Sequence, residues 1–187
     1  MCWSKYLFEV GLTLINSLLI NSILVNSEAA YNLTLSNINQ LEKCHERALR
    51  ELLSLPVKSP KPMLYLLTGS IPIKYKIKQR RLVYLHDILS REEGSLINRF
   101  FKTQLDFKKS KDWASQILKD LMEYEIEMTM DEIKSIGHDK WKDIIKSTTK
   151  IKALDEVNNK QGSKSMNYDN LKLADFLCPR IEKDIPI

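Results

Sequence analysis

At 187 residues, 43% of them apolar and 8% aromatic, the chain has material for one packed core with at most a small appendage. Five glycines and six prolines, beside abundant Leu, Ile, Lys and Glu, leave too little turn punctuation for an all-β fold and predict an all-α one, an irregular helical bundle with a flexible C-terminal tail. The net charge of +5 is concentrated: residues 58–91 hold eight Lys/Arg against one Asp/Glu, while the segments on either side each stand at −1, and that confinement points to a polyanion-facing surface.

Residues 5–27 read as one helix that is apolar around most of its circumference, so it is expected to be buried on more than one side, with partners for its asparagines. Lys5, the apolar run over residues 12–25 and Ala29-Ala30 have the outline of a cleaved leader. Glu9 precedes the run, however, and Asn16, Ser17, Asn21 and Ser22 interrupt it. A spanning helix needs about 20 mostly apolar residues and is excluded. Cys2, Cys44 and Cys178 lie far apart with no C-x-x-C pair, which fits a reducing, intracellular setting, nuclear or cytoplasmic, rather than secretion. Asn32-Leu33-Thr34 has the N-glycosylation spacing, which carries meaning only for a secreted chain.

Ser36 is the expected cap of a second helix, with Ile38, Leu41, Cys44, Ala48, Leu49, Leu52 and Leu53 on its inner face. Glu42, Lys43, Glu46, Arg47, Arg50 and Glu51 read as its solvated face, and Pro56 as its end. Residues 57–62 form a stiff linker. Ser59 with Pro60 behind it predicts a short helix over residues 63–67, stopped by Gly69. The strict alternation of IPIKYKIK is a strand signal, but the apolar positions Ile77, Tyr84, Leu85, Ile88 and Leu89 favour a long helix from about Pro72 to Ser90.

Ser95 and Asp112 are the expected caps of helices over residues 96–105 and 113–121, separated by a basic loop at residues 108–111. Thr129 with Glu132 has capping-box spacing and opens a short helix that Gly137 breaks. Asp139 starts the next helix, through Trp141, Ile144, Ile145, Ile151 and Leu154. Residues 158–167 read as polar and flexible, followed by an amphipathic piece over residues 168–177 and a frayed end. The expected divisions are N-terminal helices (1–57), a basic helical connecting region (58–158) and a tail with linker and short helix (159–187).

Lys74, Lys76, Lys78, Arg80 and Arg81 are the candidate site, as phosphate contacts on a duplex, with Tyr75 and Tyr84 lying against sugars or bases. Lys74, Lys78 and Arg81 share one helical stripe, and Lys76 and Arg80 another. The bland reading of such a run is a solvated helix face. No base readout is expected, and no cofactor or metal: Cys44 and His45 are adjacent and point about 100° apart on a helix, and His86 and His138 lack a ligand-spaced partner. Glu92-Glu93, Asp131-Glu132 and Asp155-Glu156 fall at helix ends or in loops, where capping or solvation accounts for them.

Four stretches carry a resemblance. They are NSILVNSEAAYNLTLSNINQLEKCHERALRELLSLP, SPKPMLYLLTGSIPI, RRLVYLHDILSREEGSLINRFFKTQL, and, more loosely, DWASQILKDLMEYEIEMTMDEIKS with the basic helix after it. In this order and spacing, covering most of residues 5–155, they resemble the C-terminal thumb and connecting region of a non-LTR (LINE-type) retrotransposon reverse transcriptase. The sequence departs from that family at Ala30, where tryptophan is usual, at Pro62, where an acid is usual, and at Leu67-Thr68, where Glu-Leu is usual. It departs again at Ile15-Asn16, where charge is common, and it lacks the closing Cys/His cluster. The family's polymerase centre holds two divalent ions on an aspartate pair plus a further aspartate, and this sequence has no Asp-Asp pair.

The resemblance therefore implies a non-catalytic remnant whose palm would lie upstream of Met1. Its implied partners are that missing polymerase body and, weakly, a nucleic-acid backbone. Two further readings stay open: a helical protein-interaction module, capable of self-association, and a small secreted protein cleaved near Ala30.

Overall fold

The computed structural model describes residues 3–25, 33–107 and 112–161, and these are helices joined by turns, with no strand among them. In chain order they are α1 (Trp3–Leu14), a π-helical turn (Ile15–Ile20), α2 (Asn21–Ile23), α3 (Leu35–Leu52), α4 (Lys61–Thr68), α5 (Ile73–Leu89), α6 (Leu96–Phe107), α7 (Trp113–Glu123), α8 (Met130–Ser135) and α9 (His138–Gln161). The all-α expectation holds, and IPIKYKIK is helix from Ile73 onward rather than strand. The chain divides into two compact units. One comprises Met1–Ile23, Lys43–Ser70 and Val157–Ile187; the other comprises Leu24–Glu42 and Ile71–Glu156.

In the first unit, Phe8 of α1 packs with Leu49 and Leu53 and with Leu64, Tyr65 and Leu67 of α4. Gly11 allows the close approach: a Cβ there would overlap the Leu52 Cδ1. The π-helical turn has a local cause. Thr13 Oγ1 donates to the Glu9 carbonyl (2.8 Å), Asn16 Nδ2 to Leu12 (3.0 Å) and Ser17 Oγ to Thr13 (2.6 Å), so three carbonyls within two turns take a side-chain donor. Competition of this kind loosens and bends a helix. Leu7, Val10, Leu14 and Leu18 are exposed, so among the described residues the expected burial of this segment on several sides is not met.

Helix α3 ends before Pro56. Ser54 adopts φ 52°, Leu55 N–H donates to the Arg50 carbonyl (2.9 Å) and Ser54 N–H to Glu51 (3.1 Å), the paired closure of a Schellman motif. Its start is capped by Thr34, whose Oγ1 accepts from Asn37 N–H (3.2 Å), and not by Ser36, which lies one residue inside the helix. Ser59 likewise does not cap α4, whose N-cap is Pro60 without a side-chain bond. Gly69 stops α4 at φ 61°, as expected. Glu46, expected in solvent, is buried between Lys61 Nζ (2.7 Å) and Arg50 Nη2 (3.6 Å), and it ties α3 to α4.

In the second unit α5 is the central element. It runs from N-cap Pro72 to C-cap Ser90 and packs against α6, α7 and α8. Tyr75, Leu82, Leu85, Ile88 and Leu89 meet Phe101, Ala114, Ile117, Leu121, Ile133, Trp141 and Ile145 in one core. Trp141, fully buried, donates Nε1–H to the Leu82 carbonyl (2.8 Å) and so docks α9 on α5. Asp112 caps α7 by accepting from Ser115 N–H (2.9 Å), and the Thr129–Glu132 capping box is complete on α8. Helix α9 outruns its expected end, so residues 158–161 are helical. The basic loop at 108–111 and the expectations for residues 26–32 and 162–187 lie outside the described residues.

Candidate nucleic-acid interface

The phase of α5 decides where its cations point. Pro72 (φ −55°) accepts the first intrahelical bonds, from Tyr75 N–H (3.0 Å) and Lys76 N–H (3.2 Å). Ile73 N–H, which has no helical partner, donates to Glu42 Oε2 of α3 (2.8 Å). With the helix so fixed, Lys74, Lys78 and Arg81 do fall on one stripe, but that stripe faces neighbouring helices.

Lys74 Nζ is ion-paired with Glu156 of α9 and lies 4.8 Å from the centre of the Tyr75 ring. Lys78 Nζ is bonded to Glu123 at the end of α7 and lies 5.7 Å from the same ring. Tyr75 OH donates to Glu156 Oε2 (2.6 Å), and burial together with that carboxylate pushes the phenol's pKa up. Arg81 is buried, and its Nη1 donates to Asp120 Oδ2 of α7 (2.7 Å). Burial raises the Asp120 carboxyl even though Arg81 pulls it down. Arg80 is half-buried.

The five candidate residues are thus on one helix, but Lys74, Lys78 and Arg81 already hold carboxylates. The two tyrosines are also engaged. Tyr75 is in the core, and Tyr84 packs edge-on against Trp113 with ring centres 5.9 Å apart. Glu123 and Asp120 lie 45 and 39 residues from their partners along the chain, and Glu156 lies 81 residues from Tyr75. Separations of that size leave no periodic signal, so the sequence reading missed all three acids; Glu156 serves neither as a cap nor as a solvated charge.

Lys76 is half-buried as well. Burial lowers its ammonium to a pKa of about 8 from 10.5, against an opposing pull from Glu42. Between these values the unfolded chain carries a proton that the folded chain does not, so stability rises with pH across that window and is lowest below it. Lys76→Met is therefore expected to stabilise the fold at pH 7 by about 1–3 kcal/mol, with the gain shrinking as pH rises from about 8 to 10.5. Urea unfolding of both proteins at pH 7 and pH 10 checks this; a gain that does not change with pH would show that packing, not the charge, is responsible.

Elsewhere the structure pairs two histidines that the sequence left apart. The rings of His86 and His138 are 5.5 Å apart, with His86 Nε2 against the Ile136 carbonyl (2.6 Å) and His138 Nε2 3.4 Å from Asp87. Among the described residues no group of three or more His, Cys, Asp or Glu is placed to hold a metal ion. None of the helices there is long and apolar enough to cross a membrane. Cys44 is exposed, while its neighbour His45 is buried with its ring 6.0 Å from that of Tyr65. No protein-family model, no curated protein and no solved structure matches the chain.

Proposed function

We propose that this chain is a non-catalytic helical fragment of a LINE-type, RNA-directed DNA polymerase, corresponding to its thumb and connecting region, and that it binds nucleic-acid backbone weakly and without sequence preference. The observation that carries the reading is the ordered run of four sequence blocks described above. It is supported by where they fall: the second block covers α4 and the turn into α5, the third covers most of α5 and α6, and the fourth covers α7 and α8. On this reading the chain works inside the cell, in nucleus or cytoplasm.

The carboxylates held by α5 argue for weak rather than tight binding. A phosphate that displaces Glu156 or Glu123 from a lysine exchanges one anion for another and gains little. Binding of an RNA–DNA hybrid duplex is expected on the order of micromolar or weaker near physiological salt, falling steeply as salt rises. Fluorescence anisotropy across a salt series measures it. Sequence-dependent affinity, or nucleotide incorporation by purified material on a primed template, would contradict the proposal.

A second reading, a helical protein-interaction module, is favoured by a different observation. The row Leu7, Val10, Leu14 and Leu18 on α1 and the π-helical turn is exposed and carries no charge. Sedimentation across a concentration series tests the self-association that only the second reading includes.

A further inference from the structure

We infer that the surface through which this chain meets a nucleic-acid backbone is the lysine row of α9, formed by Lys142, Lys146 and Lys150, rather than the cation-rich α5. The inference rests on the backbone-binding reading above and assigns it a place.

The orientation of α9 follows from its core residues. Trp141, Ile145, Thr149 and Ala153 recur every fourth position and are all buried. Thr149 Oγ1 bonds to the Tyr124 hydroxyl (3.3 Å), which burial pushes to a pKa of about 12. Lys142, Lys146 and Lys150 each follow one of these residues, about 100° round the helix, and all three are exposed. They stand about 6 Å apart along the axis, four residues at 1.5 Å each.

The contrast with α5 is one of availability. Lys74, Lys78 and Arg81 hold Glu156, Glu123 and Asp120, whereas none of the three α9 lysines is engaged in an ion pair or hydrogen bond with another described residue. An ammonium in water that meets a phosphate releases a condensed counterion from the nucleic acid, and that release is the main source of backbone affinity. A lysine already neutralised by a carboxylate must first break an ion pair and leave an acid facing the phosphates. Of the acids on α9 itself, Asp139 and Asp143 stand three residues before Lys142 and Lys146, and both are exposed. The face of the row thus presents three lysines against these two aspartates, a balance of +1. The two aspartates weaken the row without cancelling it.

The test is hybrid-duplex anisotropy at 20–300 mM KCl on four full-length proteins: wild type, K142Q/K146Q/K150Q, K74Q/K78Q and D139N/D143N. The α9 lysine variant is expected to lower the salt slope by about 2–3, at roughly 0.9 per lost phosphate contact, and to weaken binding at least tenfold at 50 mM salt. K74Q/K78Q is expected to change the slope by less than about 0.5. D139N/D143N is expected to bind more tightly. All substituted side chains lie at or near the surface, and far-UV circular dichroism with a thermal melt confirms that each variant is folded. If wild type binds and the α9 lysine variant keeps its full slope, or both lysine variants lose slope equally, the assigned surface is wrong while the backbone-binding reading survives. If wild type fails to bind even at 20 mM salt, both fall together.

Discussion

Replacing Arg81 with methionine is expected to destabilise the fold at pH 7 by about 3–5 kcal/mol, because it leaves the Asp120 carboxylate buried without its partner. Burial already holds the Asp120 carboxyl above its ordinary value of 3.8 with Arg81 in place, and its removal pushes the group further in the same direction. The sign of the pH dependence follows. A carboxyl whose folded pKa lies above its unfolded one binds a proton more readily in the folded state, so stability is recovered as pH falls toward the unfolded value. Urea unfolding at pH 7 and pH 5 is expected to show the Arg81→Met penalty shrinking at the lower pH. The double replacement Arg81→Met with Asp120→Leu is expected to restore most of the loss, since an apolar pair of similar volume avoids desolvating two charges. If the double variant is as unstable as the single one, side-chain packing of Arg81, and not its charge, holds α5 to α7.

Trp141→Ala is expected to cost about 3–5 kcal/mol, the largest effect of any apolar truncation in the second unit. The side chain is fully buried among residues from α5 to α8, and its loss opens a cavity that several helices would have to close at once. The hydrogen bond from Nε1 contributes less than the cavity. The Leu82 carbonyl sits in mid-helix and keeps its helical donor, so what it loses is a second one. Trp141→Phe, which keeps a ring but no donor, is therefore expected to cost only about 1–2 kcal/mol. Chemical denaturation of the two variants checks the ratio. Equal penalties would mean that the bond to Leu82, rather than the volume, fixes α9 on α5.

Features governed by a few neighbouring residues were legible in the sequence. Asp112 on α7, the Thr129–Glu132 box on α8 and Gly69 after α4 were each predicted from side-chain chemistry within four residues of the helix end, and each is found. Where two residues could do the same job, the local signal was insufficient. Thr34 and Ser36 both carry a hydroxyl near the start of α3, and only the backbone entering the helix selects Thr34. Pro56 looked like the stop of α3, yet the left-handed turn at Ser54 closes the helix first.

The candidate site shows the same division more sharply. Composition located the charge in residues 58–91, and helical periodicity put Lys74, Lys78 and Arg81 on one stripe. Whether that stripe meets water or carboxylates depends on Glu156, Glu123 and Asp120, which belong to helices much further along the chain. The lysines of α9 drew less notice because Asp139 and Asp143 offset them in any count of charge. Their availability becomes visible only when Trp141, Ile145 and Thr149 fix which side of α9 is inward.

By itself the sequence determined an all-helical chain, several of its helix ends and the place of its excess charge, because backbone periodicity, capping and composition act over one or two turns. Only the tertiary structure decided which cations are neutralised, that Glu46 and Arg81 are buried, and that Leu7, Val10 and Leu14 of α1 are exposed among the described residues. Those outcomes depend on which helices lie side by side, and side-chain pairing across tens of residues is set by packing rather than by any pattern within a turn.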